Sequence, residues 1–186
     1  MGVFSFLKRR RHERTGFELY GAAVRAAREP YFYTDLGVPD TLDGRFDMVG
    51  VHAFLLIRRL RQLPPPGEAL AQAVFDAMFT DMDVNLREIG VSDLSVGRKV
   101  RAMWEAFHGR SNAYQAALAA GDMPALAAAL ERNIWPDQVA GGQTGSEQAA
   151  ALARVVAAQD AQLAGQTLDT LGRGQAIFLA PEAARG

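Results

Sequence analysis

Residues 43–67 read DGRFDMVGVHAFLLIRRLRQLPPPG, and one side of this stretch is continuously apolar. Its apolar residues recur at steps of three and four, the period at which side chains share one face of an α-helix. They are Phe46, Val49, Ala53, Leu56, Leu60 and Leu63. The prolines at 64–66 and Gly67 cannot continue the helix. The spacing therefore predicts one buried helix over residues 43–62.

The same helical period continues on both sides of this segment. It predicts further helices over residues 16–29, 68–87, from 96 to beyond Gly109, 123–134 and 147–171. Thr15 and Glu18 have the spacing of a capping box that opens the first helix, and Pro30 is expected to end it. No stretch alternates with the period of a β-strand. We predict an all-α, single-domain irregular helical bundle of about six helices with no sheet.

Two of these helices carry aromatic residues on their apolar faces. The helix over 68–87 has a broad face that includes Phe75 and Phe79, and the next helix places Trp104 and Phe107 at the same spacing. Gly90 is expected to terminate the first of the two, and Gly109 to bend or end the second. Aspartate at 93 or serine at 95 is the candidate cap at the start of the second helix.

The chain divides into three parts by composition. Residues 1–14 are predicted as a flexible basic and apolar segment, and residues 15–135 as the helical domain. Within that domain the connector YFYTDLGVPDT, residues 31–41, is expected to be irregular, with its three aromatic side chains packed onto the bundle. Residues 136–186 form a loop and a last helix that Ser146 caps; this helix either docks on the same domain or serves as a separable arm.

Composition excludes several classes of function. The 186 residues are 49% hydrophobic and 22% charged, which is typical of a globular domain. A net charge of -1 gives no reason to expect binding to DNA. The chain has no cysteine, so disulfides, thiolate catalysis and cysteine-ligated metals are excluded. It also has no apolar run near 18 residues, the length needed to span a bilayer.

The opening MGVFSFLKRRRHER combines apolar and basic residues. One interpretation is a disordered tail, and the other is a peripheral contact with an anionic membrane surface. For that contact the candidates are Phe4, Phe6, Leu7, Lys8, Arg9, Arg10 and Arg11. Each basic residue beside such a surface contributes about 1 kcal/mol, so the binding would be weak and reversible.

Residues 81–85, DMDVN, begin like a calcium-binding loop. The sixth position of such a loop must be glycine and the twelfth a bidentate glutamate, but they are Leu86 and Ser92 here. No serine, aspartate or glutamate has the neighbours of a nucleophile or a general base. We therefore predict no catalytic, metal or cofactor-binding residues, and no enzyme activity.

Three histidines are present, and none has the spacing of a zinc site. His52 adjoins an apolar face and is expected to be a core or boundary residue, while His108 is expected to cap the end of its helix. Either side chain could in principle ligate haem, so a small helical haem-binding protein stays as one alternative.

Residues 20–118 resemble the ubiquinol-cytochrome c chaperone family. The resemblance depends most on YTDLGVPD at 33–40, GRF at 44–46 and DMDVNLREIGVSDLSVG at 81–97. It implies a non-catalytic chaperone that binds newly made cytochrome b and supports assembly of ubiquinol-cytochrome c reductase. Contact with the ribosome is left open. The chain opens without a long targeting presequence, which favours the bacterial cytoplasm, at or near the inner face of the cytoplasmic membrane.

A surface that holds a client protein is built from aromatic and arginine anchors rather than from a nucleophile. The candidates are Tyr31, Tyr33, Arg45, Arg58, Arg59, Asp81, Asp83, Arg87, Asp93, Arg98 and Lys99. About half of them are expected to be structural, with Asp93 as a helix cap and Asp83 paired with Arg87 one turn away. The remaining alternative is a membrane-peripheral helical adaptor.

Overall fold

The computed structural model describes residues 3–142 and 145–184, with side chains described at 10–142 and 145–183. The helices are α1 Val3–Ala27, α2 Pro30–Thr34, α3 Leu42–Arg61, α4 Gly67–Glu88, α5 Asp93–Ala120, α6 Met123–Ile134, α7 Pro136–Ala140, α8 Glu147–Ala164 and α9 Leu168–Gly172, followed by a 3-10 turn at Pro181–Ala184. Over these residues there is no β-strand. The predicted all-α fold is confirmed.

Helix α3 is the centre of the bundle and packs against α1, α4, α5, α6 and α8. Its fully buried side chains include Met48, Leu55, Leu56 and Leu60. The hydroxyl of Thr41 caps the helix by accepting a hydrogen bond from the Gly44 amide at 3.1 Å. The apolar spacing and the prolines at 64–66 indicate the same helix end. The predicted span of residues 43–62 is therefore confirmed to within one residue at each end.

The start of α1 corrects the capping-box prediction. The helix already runs from Val3, and Thr15 is buried within it rather than placed at its end. The reason is tertiary: at Gly16 a Cβ atom would lie 2.6 Å from the carbonyl carbon of Ala73, so α1 and α4 approach closely there. The helix ends at Ala27, and Pro30 opens α2 instead of ending α1, a position where proline is tolerated.

The corner between α4 and α5 is built as predicted around Gly90, whose φ is 87°. The Gly90 amide donates to the Arg87 carbonyl at 3.0 Å, and the Val91 amide donates to the Leu86 carbonyl at 3.0 Å. These two bonds form a Schellman motif, which needs the left-handed conformation that glycine adopts readily.

Helix α5 is continuous through Gly109, so a helix end at this residue, one of the two predicted outcomes, is wrong. A single glycine inside a helix costs only about 1 kcal/mol relative to alanine. Packing of Tyr114 and Ala117, both buried beyond the glycine, holds the second half of α5 in place.

The last long helix, α8, docks on the bundle. It packs against α3 and α6, with Leu152 and Val156 buried and Asp160 paired to Arg58 of α3 at 3.0 Å. It stops at Ala164 and α9 begins separately at Leu168, whereas the sequence predicted one helix to residue 171.

The start of α8 is held by two side chains. The Ser146 hydroxyl accepts from the Ala149 amide at 3.2 Å, as predicted for its cap. The buried carboxylate of Glu131 accepts from the amides of Gly145 at 2.8 Å and Ser146 at 2.7 Å. Burial would raise the pKa of Glu131, but the hydrogen bonds from Ser146 and Gly145 hold this pKa below its usual value.

Two buried glutamines attach residues 177–179 to the bundle. Gln159 donates to the Leu179 carbonyl and accepts from the Leu179 amide, both at 2.7 Å. Gln166 does the same with Ile177, at 2.6 and 3.0 Å. Each side-chain amide thus pairs with a main-chain amide as a neighbouring strand would, and the end of the described chain is docked on α8.

Candidate protein-interaction surface

Five aromatic rings form a partly exposed group between α4 and α5, called here the aromatic cluster. Its members are Phe75, Phe79, Trp104, Phe107 and His108. The ring centroids of Phe75 and Phe79 lie 4.7 Å apart, and those of Trp104 and His108 lie 4.2 Å apart. Phe75 joins the two pairs, since its ring lies 5.6 Å from that of His108. Trp104 is nevertheless 44% exposed.

The packing of α5 explains this exposure. Its buried residues are Val96 near one end and Tyr114 and Ala117 near the other. Between Val96 and Tyr114 the helix reaches the bundle only through half-buried side chains such as Met103 and Phe107. The aromatic cluster is therefore covered from one side only. Only Trp104 among the five is exposed, and the other four rings are half-buried. A group of aromatic rings that stays partly exposed is a candidate interaction site.

A groove of about 300 Å³ lies on the other side of α5, toward α3 and α6. Asp47 of α3 pairs there with Arg110 of α5, and the Tyr114 hydroxyl accepts from the Asn133 side chain at 2.8 Å. Burial raises the pKa of Asp47 to about 6, although the pair with Arg110 acts in the opposite direction. These polar contacts fasten α5 beside the aromatic cluster.

The α4–α5 corner carries the predicted charges on its surface. Asp83 accepts from Arg87 at 2.6 Å, which confirms that pair, and Arg87 also pairs with Asp93. Asp93 is the first residue of α5 and Ser92 holds the cap position, so Asp93 is not the cap. Next to it, Leu94 is 93% exposed.

Arg98 and Lys99 follow on the exposed side of α5. Within residues 10–142 and 145–183, neither side chain forms an ion pair. Arg101, one turn further on, does so with Glu105 at 3.1 Å. The two cations are available to a partner, and their role in binding one stays a prediction.

Three other predicted residues make contacts that hold the bundle together. Asp81 accepts from the Tyr20 hydroxyl at 2.7 Å, which joins α4 to α1. Arg58 pairs with Asp160, and Arg59 donates to the Gln166 carbonyl at 2.7 Å. Each of these contacts joins two separate elements, so we leave the three residues out of the proposed surface.

The aromatic connector packs inward as predicted, but it is not irregular throughout, because Pro30–Thr34 form the short helix α2. Tyr31 and Phe32 are buried, and the Tyr33 hydroxyl donates to the Ala27 carbonyl at 3.0 Å. Arg45, close by, is exposed and pairs with Asp40 at 2.6 Å. Of these predicted contact residues, only Arg45 presents its charged group at the surface.

The predicted membrane-contact residues are only partly described. Arg10 and Arg11 are exposed on α1. The side chains of Phe4, Phe6, Leu7, Lys8 and Arg9 lie outside the described ones. Among the helices of the described residues, none combines the length and the apolarity needed to cross a membrane.

His52 is a core residue, as predicted. Its Nδ1 donates to the Met48 carbonyl at 2.8 Å, and its ring lies between those of Phe32 and Phe178, each 5.4 Å away. Burial lowers the pKa of His52 to about 4. His52 is buried, so haem could reach its ring only if the packed rings of Phe32 and Phe178 moved apart.

His108 lies inside α5 against Trp104, so its predicted role at a helix end is wrong, because the helix runs on to Ala120. In the part of the chain with described side chains, no group of three histidine or acidic side chains is placed to hold a metal ion.

The His52 contacts predict a specific loss of stability in acid. The pKa is about 6.5 in an unfolded chain and about 4 in the fold, so the fold favours the neutral ring. That contribution is complete above pH 6.5 and is lost as the pH falls toward 4, by about 3 kcal/mol in all. In His52→Phe, the free energy of unfolding should therefore fall less steeply over this range when measured by urea titration.

The control for this measurement is the same titration above pH 7, where the contribution of His52 is complete. There the wild type and His52→Phe should show the same pH slope. Identical slopes at acid pH in the wild type and in His52→Phe would show that His52 does not carry this pH dependence.

Comparison with known proteins adds the family. A family model described as ubiquinol-cytochrome C chaperone matches residues 34–178. The chain belongs to the ubiquinol-cytochrome c chaperone family. A curated relative from Xenopus laevis, named ubiquinol-cytochrome-c reductase complex assembly factor 1, is 24% identical over 120 residues. That match covers 64% of this chain and 60% of the relative, so the chain spans about three fifths of the relative's length.

A solved structure extends the likeness within the ubiquinol-cytochrome c chaperone family. The crystal structure of the Cbp3 homolog from Brucella abortus matches with a TM-score of 0.83 and 35% identity. The match covers 97% of this chain and 98% of that chain. The fold described above is thus similar to an experimentally determined one over nearly its whole length, α1 and α8 included.

The aromatic cluster is the part of this ubiquinol-cytochrome c chaperone surface that sequence reasoning missed. Its phenylalanines and Trp104 have the spacing of apolar helix faces, and this spacing alone does not predict that they stay partly exposed. The available signal was the width of the α4 face: Phe75 and Phe79 lie beside the stripe of Leu70, Val74 and Met78 that α1 and α3 bury. A face wider than its neighbours can cover stays partly exposed.

Proposed function

We propose that this chain is a non-catalytic assembly chaperone that binds newly made cytochrome b and supports its entry into ubiquinol-cytochrome c reductase. Membership of the chaperone family supports a role in assembling this complex. The observation that carries the binding role is the aromatic cluster, in which Trp104 is 44% exposed and its ring lies against other aromatic rings, unlike single exposed residues such as Leu94. Tryptophan and arginine dominate the binding energy of protein interfaces.

The chemistry of this surface suits a holding function. An unassembled membrane protein exposes apolar helices, and covering them is worth about 25 cal/mol for each Å² removed from water. The aromatic cluster offers such cover, and the nearby Arg98 and Lys99 offer charge to the polar ends of those helices. The packing of His52 between Phe32 and Phe178 weighs against the haem-binding alternative.

We further propose that the protein works in the bacterial cytoplasm, at the inner face of the cytoplasmic membrane. The exposed basic residues Arg10 and Arg11 on α1 support weak attraction to anionic lipid, at about 1 kcal/mol each. A chaperone for a membrane protein also gains from staying near the bilayer where its client inserts.

Deleting the gene in the native host tests the proposed function. Membranes should lose the haem absorbance of the reductase's cytochrome b while the haem absorbance of the terminal oxidases is retained, and a plasmid copy of the wild-type chain should restore the spectrum. After crosslinking, purification of the tagged chain from the restored strain should recover cytochrome b as the dominant partner. Normal reductase spectra in the deletion strain would rule out the assembly role.

A further inference from the structure

A second groove, of about 320 Å³, opens on the Phe75 side of α5, between α3, α4 and α5. We call it the aromatic groove. Its apolar surface comes from Phe54, Ile57, Phe75 and Phe107. It continues into the aromatic cluster, because His108 lines the groove and its ring lies 4.2 Å from that of Trp104.

The rim of the aromatic groove is basic. Arg58 and Arg61 of α3 both line it, and among the described residues that line it there is no aspartate or glutamate. Asp160 holds Arg58 at 3.0 Å, with only 11% of the arginine side chain exposed. Arg61 is different, since its side chain is 53% exposed and its Glu68 partner lies 3.4 Å away at the surface. Arg61 can therefore turn toward an incoming carboxylate.

One polar atom at the groove lacks a partner. The Oγ of Ser111 is buried and forms no hydrogen bond with any described residue. A serine inside a helix usually bonds to the carbonyl four residues earlier, and an unsatisfied buried hydroxyl is costly. Ser111 lines this groove and the one on the other side of α5. Because its Oγ is buried, the Ser111 hydroxyl would meet an oxygen acceptor in the aromatic groove only after a change of its side-chain rotamer.

We infer that the aromatic groove binds an apolar helical segment of the client through an aspartate or glutamate on the edge of that helix, with Arg61 and Ser111 as the groups that receive the carboxylate. This inference rests on the proposed function. Apolar side chains of the helix lie on Phe75 and Phe107, and the carboxylate accepts from the guanidinium and the hydroxyl. Hydrogen bonds to a charged partner are the stronger kind.

The shape of the groove favours a helix over a single small molecule. A volume of about 320 Å³ holds a few side chains, and the apolar surface runs on past the groove to Trp104. A ligand that covers both the aromatic groove and Trp104 must be long, as an amphipathic helix bound in a groove is. The residues that line the aromatic groove therefore predict a bound helix with an apolar face and one acidic residue at its edge.

Labelled peptides test this inference directly. The probe is a 20-residue helix of leucine and alanine with glutamate at one edge position, compared with versions that carry glutamine or lysine there. We expect the glutamate peptide to bind about tenfold more tightly than the glutamine peptide, as fluorescence anisotropy would measure, since a charge-assisted bond is lost. Arg61→Glu should abolish this preference and favour the lysine peptide.

The matched control is Arg173→Glu, which reverses another exposed, ion-paired arginine far along the chain on the C-terminal side of α9. It should keep the preference for glutamate. Equal binding of all three peptides, or an unchanged preference in Arg61→Glu, would overturn the inference. So would binding of oleate in place of the peptide with the same dependence on Arg61.

The experiments distinguish failure of the inference about the aromatic groove from failure of the proposed function. If the gene deletion removes the reductase and the chain captures cytochrome b, but Arg61→Glu captures it as well as Arg173→Glu does, the acidic-edge inference falls and the chaperone function stands. If Arg61→Glu alone loses capture, the inference is supported in the presence of the complete client.

Discussion

Trp104→Ala is expected to lower capture of cytochrome b about thirtyfold, while the free energy of unfolding changes by about 1 kcal/mol or less. The indole is 44% exposed and meets the bundle through His108, so its removal leaves no deep cavity. At the centre of an interface, truncation of a tryptophan typically costs 2 kcal/mol or more, which corresponds to about thirtyfold in affinity. Quantified pull-down and urea unfolding measure the two effects.

Phe17→Ala is the matched control for this variant. Phe17 is also a large exposed aromatic residue, 50% accessible, but it lies on α1 and outside the aromatic cluster. Capture of cytochrome b should stay at the wild-type level in this variant. Equal capture by both variants would mean that the aromatic cluster is not the holding surface, whatever the fate of the reductase in the deletion strain.

Gly16→Val is expected to destabilise the bundle by about 3 kcal/mol. A Cβ at this position would lie 2.6 Å from both the carbonyl carbon and the Cβ of Ala73. Because these atoms belong to the backbone of α4 or adjoin it, they cannot rotate away, and α1 and α4 must move apart. Overpacking of this kind typically costs 1–3 kcal/mol, and the branched valine lies at the upper end. Urea unfolding at pH 7 measures the change.

Gly97→Val makes the same substitution on α5, where no atom lies within 4 Å of the added Cβ. Valine has a slightly better helix propensity than glycine, so this variant should be as stable as the wild type or a few tenths of a kcal/mol more stable. If both valine variants lose the same amount, the close approach of α1 and α4 at Gly16 is not what limits substitution there.

The elements predicted well are those whose ends are marked within a few residues. The apolar period of α3 ends at three prolines, Gly90 terminates α4, and Asp122 begins α6 by accepting from the Ala125 amide at 2.9 Å. In each of these places a steric limit or a hydrogen bond between near neighbours in sequence fixes the boundary. The predicted spans therefore agree with the structure to within a residue or so.

The errors came from places where distant packing outweighs local pattern. Thr15 and Glu18 have the spacing of a helix start, but Thr15 is buried within α1 because Gly16 lets α4 come close. Gly109 looks like a break, yet the buried Tyr114 and Ala117 carry α5 past it. Gly16 packs against Ala73 and Tyr114 against Phe54, and these partners are too distant in sequence to be recognised from the pattern alone.

In the candidate surface, too, features set by near neighbours in sequence were predicted and those set by distant packing were not. The Asp83–Arg87 pair is one helical turn long and was predicted from spacing. The exposure of Trp104 depends on how far α5 covers α4, which no local pattern records. Spacing separates apolar faces from polar ones, but it does not say which apolar face is left without a complete cover.

The hydrogen bonds from Gln159 and Gln166 to residues 177–179 have a consequence for how the sequence can vary during evolution. Both side chains hold main-chain groups, and every residue except proline offers the same N–H and C=O. Selection can therefore preserve the two glutamines while the residues whose main chain they bind are substituted. The attachment can persist across a lineage without leaving a recognisable signature at the position where it is made.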